Sequence, residues 1–407
     1  MPSPTRRVST TQIWHWLALG LGIFAFSYAL SLISHSFSAT RAFKDIPALE
    51  FLVLMLFAAG TACILIPLLV TRSNALERKP VLAIIFLIGL CARLLHLSAL
   101  PILEDDYQRY FWDGALFANA LSPYLYAPLS FLNGEIEIDA YWDLAETAWP
   151  VIERINHPEY RTVYPPVAQI SFAISHWISP FSLGGWRIVL ILAEVGVFAL
   201  IVRILLLLGR NPMWAALYWW HPLVLKESAN SAHLEPVLML FVLAALWSLM
   251  LDRHRTAAAF LALGFGVKVW PIIQMAPVLF ALRRDVSRAS QVALIFCVIA
   301  GLMMWPILAS GLNETSGFVA FAREWAASSA AFLVSDALAN SASSLLGIES
   351  PKLLGRVILG SALLVSIVLI CVRQKAEPNG TAKSFFAITA ALFLLTPSVT
   401  PWYALWL

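Results

Sequence analysis

The sequence predicts an all-α polytopic membrane protein, and three observations carry that prediction. Of 407 residues, 60% are hydrophobic and only 13% are charged, with a mean hydropathy of +0.78. A water-soluble chain of this size needs about twice that share of charge. Apolar runs long enough for a bilayer recur throughout, since a helix needs about 20 apolar residues to cross roughly 30 Å of hydrocarbon. The period-2 alternation of barrel strands is absent.

Taken in order, such runs lie at residues 12–34, 47–71, 80–101, 184–208, 211–229, 232–251, 290–310, 351–372 and 383–407. Residues 164–180 form a short run. Residues 256–282 are interrupted by Gly264, Gly266, Lys268 and Pro271. The expectation is about ten to twelve helices. The first run exceeds the apolar core of a signal peptide, so it reads as a retained anchor. The last is still open at Leu407, and the sequence predicts that the natural chain continues. The organisation expected is an N-terminal helical part (1–101), an external loop (102–163) and a transmembrane core (164–407) that lines a donor and acceptor cavity.

Arg6 and Arg7, then Arg72, Arg78 and Lys79, flank the first runs in the sense of the positive-inside rule. The N-terminus is then cytoplasmic and residues 102–162 are external, in a chain integral to the cytoplasmic membrane. That loop carries eleven acidic residues against Arg109, Arg154 and Arg161. Arg253, Arg255, Arg283, Arg284 and Arg288 would also be cytoplasmic, so 256–282 dips in and returns or another segment is re-entrant. The loop holds Trp112, Phe117, Tyr124, Tyr126, Phe131, Tyr141, Trp142 and Trp149, too many aromatics for disorder. Such rings suit short amphipathic helices at the interface, broken by Pro123, Pro128, Pro150, Pro158, Pro165 and Pro166. A net charge of +3 lends nothing to a nucleic-acid partner. Cys63, Cys91, Cys297 and Cys371 sit within apolar runs, as core residues and not as a disulfide or zinc framework.

Ionisable groups in apolar surroundings are the candidates for chemistry, because each costs several kcal/mol at membrane depth unless it pairs or lines a cavity. Asp105 and Asp106 open the acidic loop. In a helix from Tyr107, Arg109 and Asp113 stand at i,i+4. Arg187 and Glu194 lie seven residues apart and share a face. Lys226, Glu227, His233 and Glu235 cluster where two runs meet, and Lys268 lies in the broken run. Arg93 and Arg203 lie near segment ends, where snorkelling to water is expected. A carboxylate pair supplies a general base, and cations around one cavity hold an anionic group such as phosphate.

Leu103 to Gly114, with Ser122-Pro123-Tyr124 and Ala127-Pro128, resembles the "DD…RYxWDG…NPY…AP" signature of bacterial GT-C integral-membrane glycosyltransferases. These include the polyprenyl-phosphate-mannose-dependent mannosyltransferases. Val163-Tyr164-Pro165-Pro166 looks like the superfamily's "YPP", and Arg187 with Glu194 like its Arg-then-acid helix. His221-Pro222-Leu223 with Glu227, His233 and Glu235 is similar to "NPL…E…GHxD". Gly266-Val267-Lys268 with Pro271 and Pro277 is similar to "KxxPlllLP", and Thr400 to Tyr403 to "hPWY". Four positions depart from the pattern: Glu104 stands where a small residue is common, Ser122 and His221 replace Asn, and Glu235 replaces Asp. They bear on the substrate more than on the reaction class.

The resemblance implies transfer of a sugar, mannose first among the options, from a polyprenyl-phosphate donor to a lipid- or glycan-linked hydroxyl on the external face. The anomeric carbon is inverted. Asp106 is favoured as the base, with Asp105 beside it. On the same resemblance, Arg109, Arg187, Lys268, His233, Lys226 and Tyr164 are expected to bind donor phosphate or sugar. Asp113, Trp112, Glu194, Glu227 and Glu235 support them. Neither metal nor cofactor is expected; the partners are the lipid-linked donor, a glycan, lipid or protein acceptor, and membrane lipid. Buried charges and a broken helix also suit a secondary transporter or lipid-linked sugar flippase, though no inverted repeat accompanies them.

Overall fold

In a computed structural model, residues 10–37, 48–73, 78–346, 351–375 and 377–407 are described. Arg6 and Arg7 of the topology argument lie outside them. The described residues are helical almost throughout, and apart from an isolated bridge between Ala327 and Ser398 they form no strand. Among the described residues, five helices have the length and composition of a full span: Gln12–Ser36, Leu49–Arg72, Leu183–Leu207, Val286–Ala309 and Pro351–Arg373. Counting Pro222–Asn230 with Glu235–Met250 as one broken span makes six. The remaining apolar runs are shorter or interrupted, which is why the helix count by length falls below the number of runs.

The run at 211–229 shows the cause. It is not one helix but a 3-10 turn (Pro212–Ala215), two short helices (Ala216–Trp219 and Pro222–Val224) and a π-helix (Leu225–Asn230). The Asn211 side chain accepts from Met213 N–H, the His221 ring from Leu223 N–H, and a proline follows each. Each cap-plus-proline pair starts a new helix and ends the old one.

By packing, the chain divides into two units, Met1–Tyr107 with Ser182–Pro236, and Gln108–Phe181 with Val237–Leu407. The first gathers Thr10–Ile33, Leu49–Cys63, Leu65–Arg72, Arg78–Leu94 and Leu183–Leu207 around the short helices after Asn211. Its core includes Trp16, Ile23, Leu30, Ile85, Trp219 and Trp220. The Trp219 and Trp220 indole N–H groups find backbone acceptors, on Phe86 and Ile85, as buried tryptophans require. Gly89 lets the Trp219 ring touch the helix backbone; a Cβ there would lie 2.1 Å from the indole nitrogen.

The same unit contains a buried ion pair that corrects two sequence readings. Arg93 does not snorkel: it is fully buried, its Nε lies 2.5 Å from Glu194 Oε2, and its guanidinium covers the Trp219 ring at 3.6 Å. Glu194 therefore pairs across helices with Arg93, and Arg187 serves elsewhere.

In the second unit, Tyr107–Ala118, Pro128–Leu132 and Asp139–Ile152 pack over their own core of Trp112, Leu116, Phe131, Tyr141, Ala145 and Ile152. The loop helices thus bury their aromatic faces against one another. Gly114 allows Tyr107–Ala118 to press on Pro166–Ile178, since a Cβ would meet Phe172 O at 2.6 Å. Residues 256–282 are broken as expected, into His254–Phe265, a 3-10 turn Trp270–Gln274 and Met275–Ala281. Gly266 O at the break accepts Val167 N–H at 2.9 Å. Cys63 and Cys371 are buried, but Cys91 and Cys297 are exposed on their helices, against the expectation of four core thiols.

Candidate active site

The acidic turn is built by backbone strain and a side-chain clamp. Leu103 adopts a left-handed conformation (φ 58°), which costs a non-glycine residue about 1 kcal/mol or more and persists only where neighbours enforce it. Here the enforcer is the broken helix. Asn230 Oδ1 accepts Ile102 N–H at 3.0 Å, its amide donates to Leu100 O at 3.1 Å, and Ser231 Oγ donates to Ile102 O at 3.2 Å. A second left-handed residue, Ala232 (φ 63°), turns the chain after the π-helix, and Trp186 Nε1 donates to its carbonyl at 2.7 Å.

Arg187 belongs to this scaffold. Fully buried, it donates to the carbonyls of His96, Ala99 and Asn230. It ties the end of the third run to the break, and its contacts are main-chain carbonyls and not Glu194.

Glu104 fills the centre of the turn. One carboxylate oxygen accepts the N–H groups of Asp105 (3.1 Å) and Asp106 (3.0 Å); the other lies 3.1 Å from His233 Nε2. His233 Nε2 also lies 3.4 Å from Glu227 Oε2, and Glu227 Oε1 lies 3.0 Å from Lys226 Nζ. Burial alone would raise the Glu104 carboxyl, but the bond and charge from His233, the Asp106 N–H and the Lys226 charge outweigh it and hold it below its usual range. Glu235, fully buried at the start of Glu235–Met250, adds its charge to the field at His233. The first unit thus brings together Asp105, Asp106, Lys226, Glu227, His233 and Glu235. Sequence reasoning had treated Glu104 only as a departure from a pattern.

Glu104, Asp106 and His233 each offer a ligand atom, and the three atoms lie within 4.8 Å of one another. That spacing suits one divalent cation. The same groups with Lys226 and Glu227 also make an ion-paired chain of alternating sign, in which the ammonium and imidazole do the neutralising.

The other candidates lie in the second unit. Arg109 and Asp113 are buried on Tyr107–Ala118, and Arg109 donates to His157 O at 3.0 Å. Asp113 Oδ2 accepts from Gln169 Nε2 at 3.2 Å. Its burial pushes the carboxyl up to about 6, against the opposing pull of Arg109, Thr162 and Gln169. Trp112 is core, edge-on to Phe131 at 5.1 Å. Tyr164 stands edge-on to Tyr110 and Phe172, and its carbonyl accepts from Tyr124 and Gln169. Lys268 follows the break after Phe265, its ammonium 5.0 Å from the Tyr403 ring centre and 5.8 Å from that of Trp406. Arg161, which sequence reasoning passed over, ties the loop to the end of Val286–Ala309 through Tyr124 O, Ser310 O, Gly311 O and Asn313 Oδ1.

Compared with known families, residues 162–398 match the model of glycosyltransferase family 87. The chain belongs to that family. Family 87 is membrane-embedded and of GT-C type, so the resemblance read from the motifs holds and the chain is a glycosyltransferase. The match covers Tyr164, Arg187, Glu194, the Lys226–Glu235 cluster and Lys268, while Glu104, Asp105 and Asp106 precede it. No curated protein and no solved structure matches the chain.

Proposed function

We propose that this family 87 chain moves a sugar, mannose first, from a polyprenyl-phosphate donor to a hydroxyl of a lipid- or glycan-linked acceptor outside the cytoplasmic membrane, with inversion. The observation that carries the proposal is the acidic turn bound to the family-matched cluster, Glu104 Oε2 to His233 Nε2 at 3.1 Å. Asp106 takes the acceptor's proton as the new bond to the anomeric carbon forms and the bond to the phosphate oxygen breaks. Glu104 supports this role by holding the Asp105 and Asp106 N–H groups. Asp106 is the proposed base, with Asp105 beside it. The leaving phosphate is a weak base, so it needs charge rather than a proton. Lys226, Lys268 and Arg109 are proposed to supply that charge, and Tyr164 to face the sugar. Asp113, Trp112, Glu194, Arg187, Glu227 and Glu235 act by holding these groups in place.

The test uses purified chain in detergent, a panel of labelled polyprenyl-phosphate sugars and a membrane extract as acceptor pool. Label should pass from the mannosyl donor to a product of opposite anomeric configuration. In Asp106→Asn the rate should fall about 10²- to 10⁴-fold, the usual worth of a positioned base. A folded Asp105→Asn/Asp106→Asn double variant that transfers at the parent rate would refute the assignment.

A further inference from the structure

An open groove of about 1010 Å³ runs along the first unit, away from the acidic turn, between Thr10–Ile33 and the pair Leu49–Cys63 and Leu65–Arg72, with Ala18, Gly22, Ala25 and Ala58 exposed along it. Its wall on the first helix is a stripe of small residues, Ala18, Gly22, Ala25 and Ala29; Ala58 and Ala62 face it from the second. Facing small residues normally let membrane helices close on one another. Here they do not close, and a Cβ built on Gly22 meets no atom within 4 Å. The result is a slot and not a seam.

Its polarity is one-sided. Gln12, His15 and Arg72 line one end, whereas Ala29 and Met55 line the other, and no carboxylate is among the described lining residues. The charged end is fixed: the Gln12 amide donates to Arg72 O, and Trp16 Nε1 donates to Ser73 Oγ at 3.1 Å. Gln12 Oε1 is buried and takes no hydrogen bond among the described residues. From Gln12 to Ala29 the helix rises about 25 Å, close to the roughly 20 Å of one leaflet with its headgroups. A polyprenyl chain is far longer than that.

We propose that this slot binds one anionic phospholipid, with its phosphate at Arg72 and His15 and its acyl chains against the small-residue stripe. Basic pockets between transmembrane helices are a recurrent site for acidic lipid headgroups. The site takes lipid as a structural ligand, independent of the sugar-transfer chemistry.

Native mass spectrometry of the purified chain tests this with phosphatidylglycerol and phosphatidylcholine of matched acyl chains. Phosphatidylglycerol should be retained about fivefold over phosphatidylcholine, the contribution of a single cation at a lipid headgroup. Arg72→Gln, a change at an exposed side chain, should bring that ratio close to one. Gly22→Phe should lose the bound lipid, whereas Gly301→Phe, whose new ring also meets open space, should keep it. Equal retention of the two lipids by the parent would overturn the proposal. So would an unchanged ratio in Arg72→Gln, or displacement of phosphatidylglycerol by equimolar polyprenyl phosphate.

Discussion

Glu104 and His233, far apart in the chain, meet at 3.1 Å, and the Glu104 oxygen not facing the imidazole accepts the backbone N–H groups of Asp105 and Asp106. One carboxylate therefore joins the family-matched cluster to the turn that presents the proposed base. Glu104→Gln keeps the shape and removes the charge. It should lower the transfer rate about 10- to 100-fold, the order expected when a catalytic group is misplaced by about 1 Å. KM for the donor should change little if Glu104 acts by positioning. A rise in KM with an unchanged kcat, from single-turnover and steady-state assays, would place Glu104 in donor binding instead.

The chelator response separates two uses of the same residues. Transfer is expected to persist after exhaustive treatment with EDTA, because Lys226 and His233 already balance Glu104 and Glu227. Loss of activity, restored by one divalent cation and not by others, would put that ion on Glu104, Asp106 and His233.

Arg93 and Glu194 make a test of stability within the first unit. Glu194→Gln leaves a buried guanidinium without its counter-charge and should cost about 3–5 kcal/mol. The double change Arg93→Met/Glu194→Met should recover most of that loss, since apolar replacement of a buried pair is often neutral or stabilising. Thermal unfolding in detergent reads both. A double variant less stable than the single would show that the pair contributes net stability.

Asp113 yields a pH dependence with a definite sign. Its carboxyl is raised from 3.8 to about 6 by burial. The folded state thus binds the proton more tightly than the unfolded chain, and ionisation costs stability above pH 6. From the size of that shift the cost is about 3 kcal/mol, at about 1.4 kcal/mol per pH unit. Asp113→Asn should be more stable than the parent at pH 7, and the gap should shrink as pH falls from 6 toward 4. A gap that stays constant across that range would remove Asp113 as its source.

Gly114 tests the seat of the loop. A methyl group at this position must displace the Phe172 carbonyl, which belongs to the backbone. Gly114→Ala should therefore destabilise by about 1–3 kcal/mol, and Gly114→Val by more. Wild-type melting of Gly114→Ala would mean that the two helices part without cost.

The membrane class and the all-helical fold were legible because they rest on composition and run length, which tertiary packing does not alter. The break after residue 265 was legible for the same reason, through Gly264, Gly266 and Pro271. The breaks at 212 and 222 were marked by Asn-Pro and His-Pro but were hidden by the hydropathy around them. The cluster of Lys226, Glu227 and His233 could be read because buried charge is rare. Its partner could not. Glu104 looked like a departure from a pattern, and only the geometry of the turn shows its carboxylate spanning two backbone amides and an imidazole. Arg93 was misjudged for a related reason: position near a helix end suggests water, but Glu194 and Trp219 lie on other helices, and no local spacing reports them. Arg187 shows the converse, because seven-residue spacing to Glu194 gave a shared face without a shared bond.

The bonds from Asn230 and Ser231 to the chain between Leu100 and Ile102 have a consequence for biogenesis. Ser231 and Ile102 are separated by 129 residues. During synthesis the acidic turn emerges long before the segment that bends it into shape, on the order of ten seconds earlier at ordinary translation rates. Until that later segment is inserted and folds back, Leu103 has nothing to hold it in its strained conformation, and Glu104 has no imidazole to face. The nascent chain therefore carries its carboxylates in an unassembled form while its early helices are already in the bilayer, and the turn takes the shape described above only after the segment through His233 has been made.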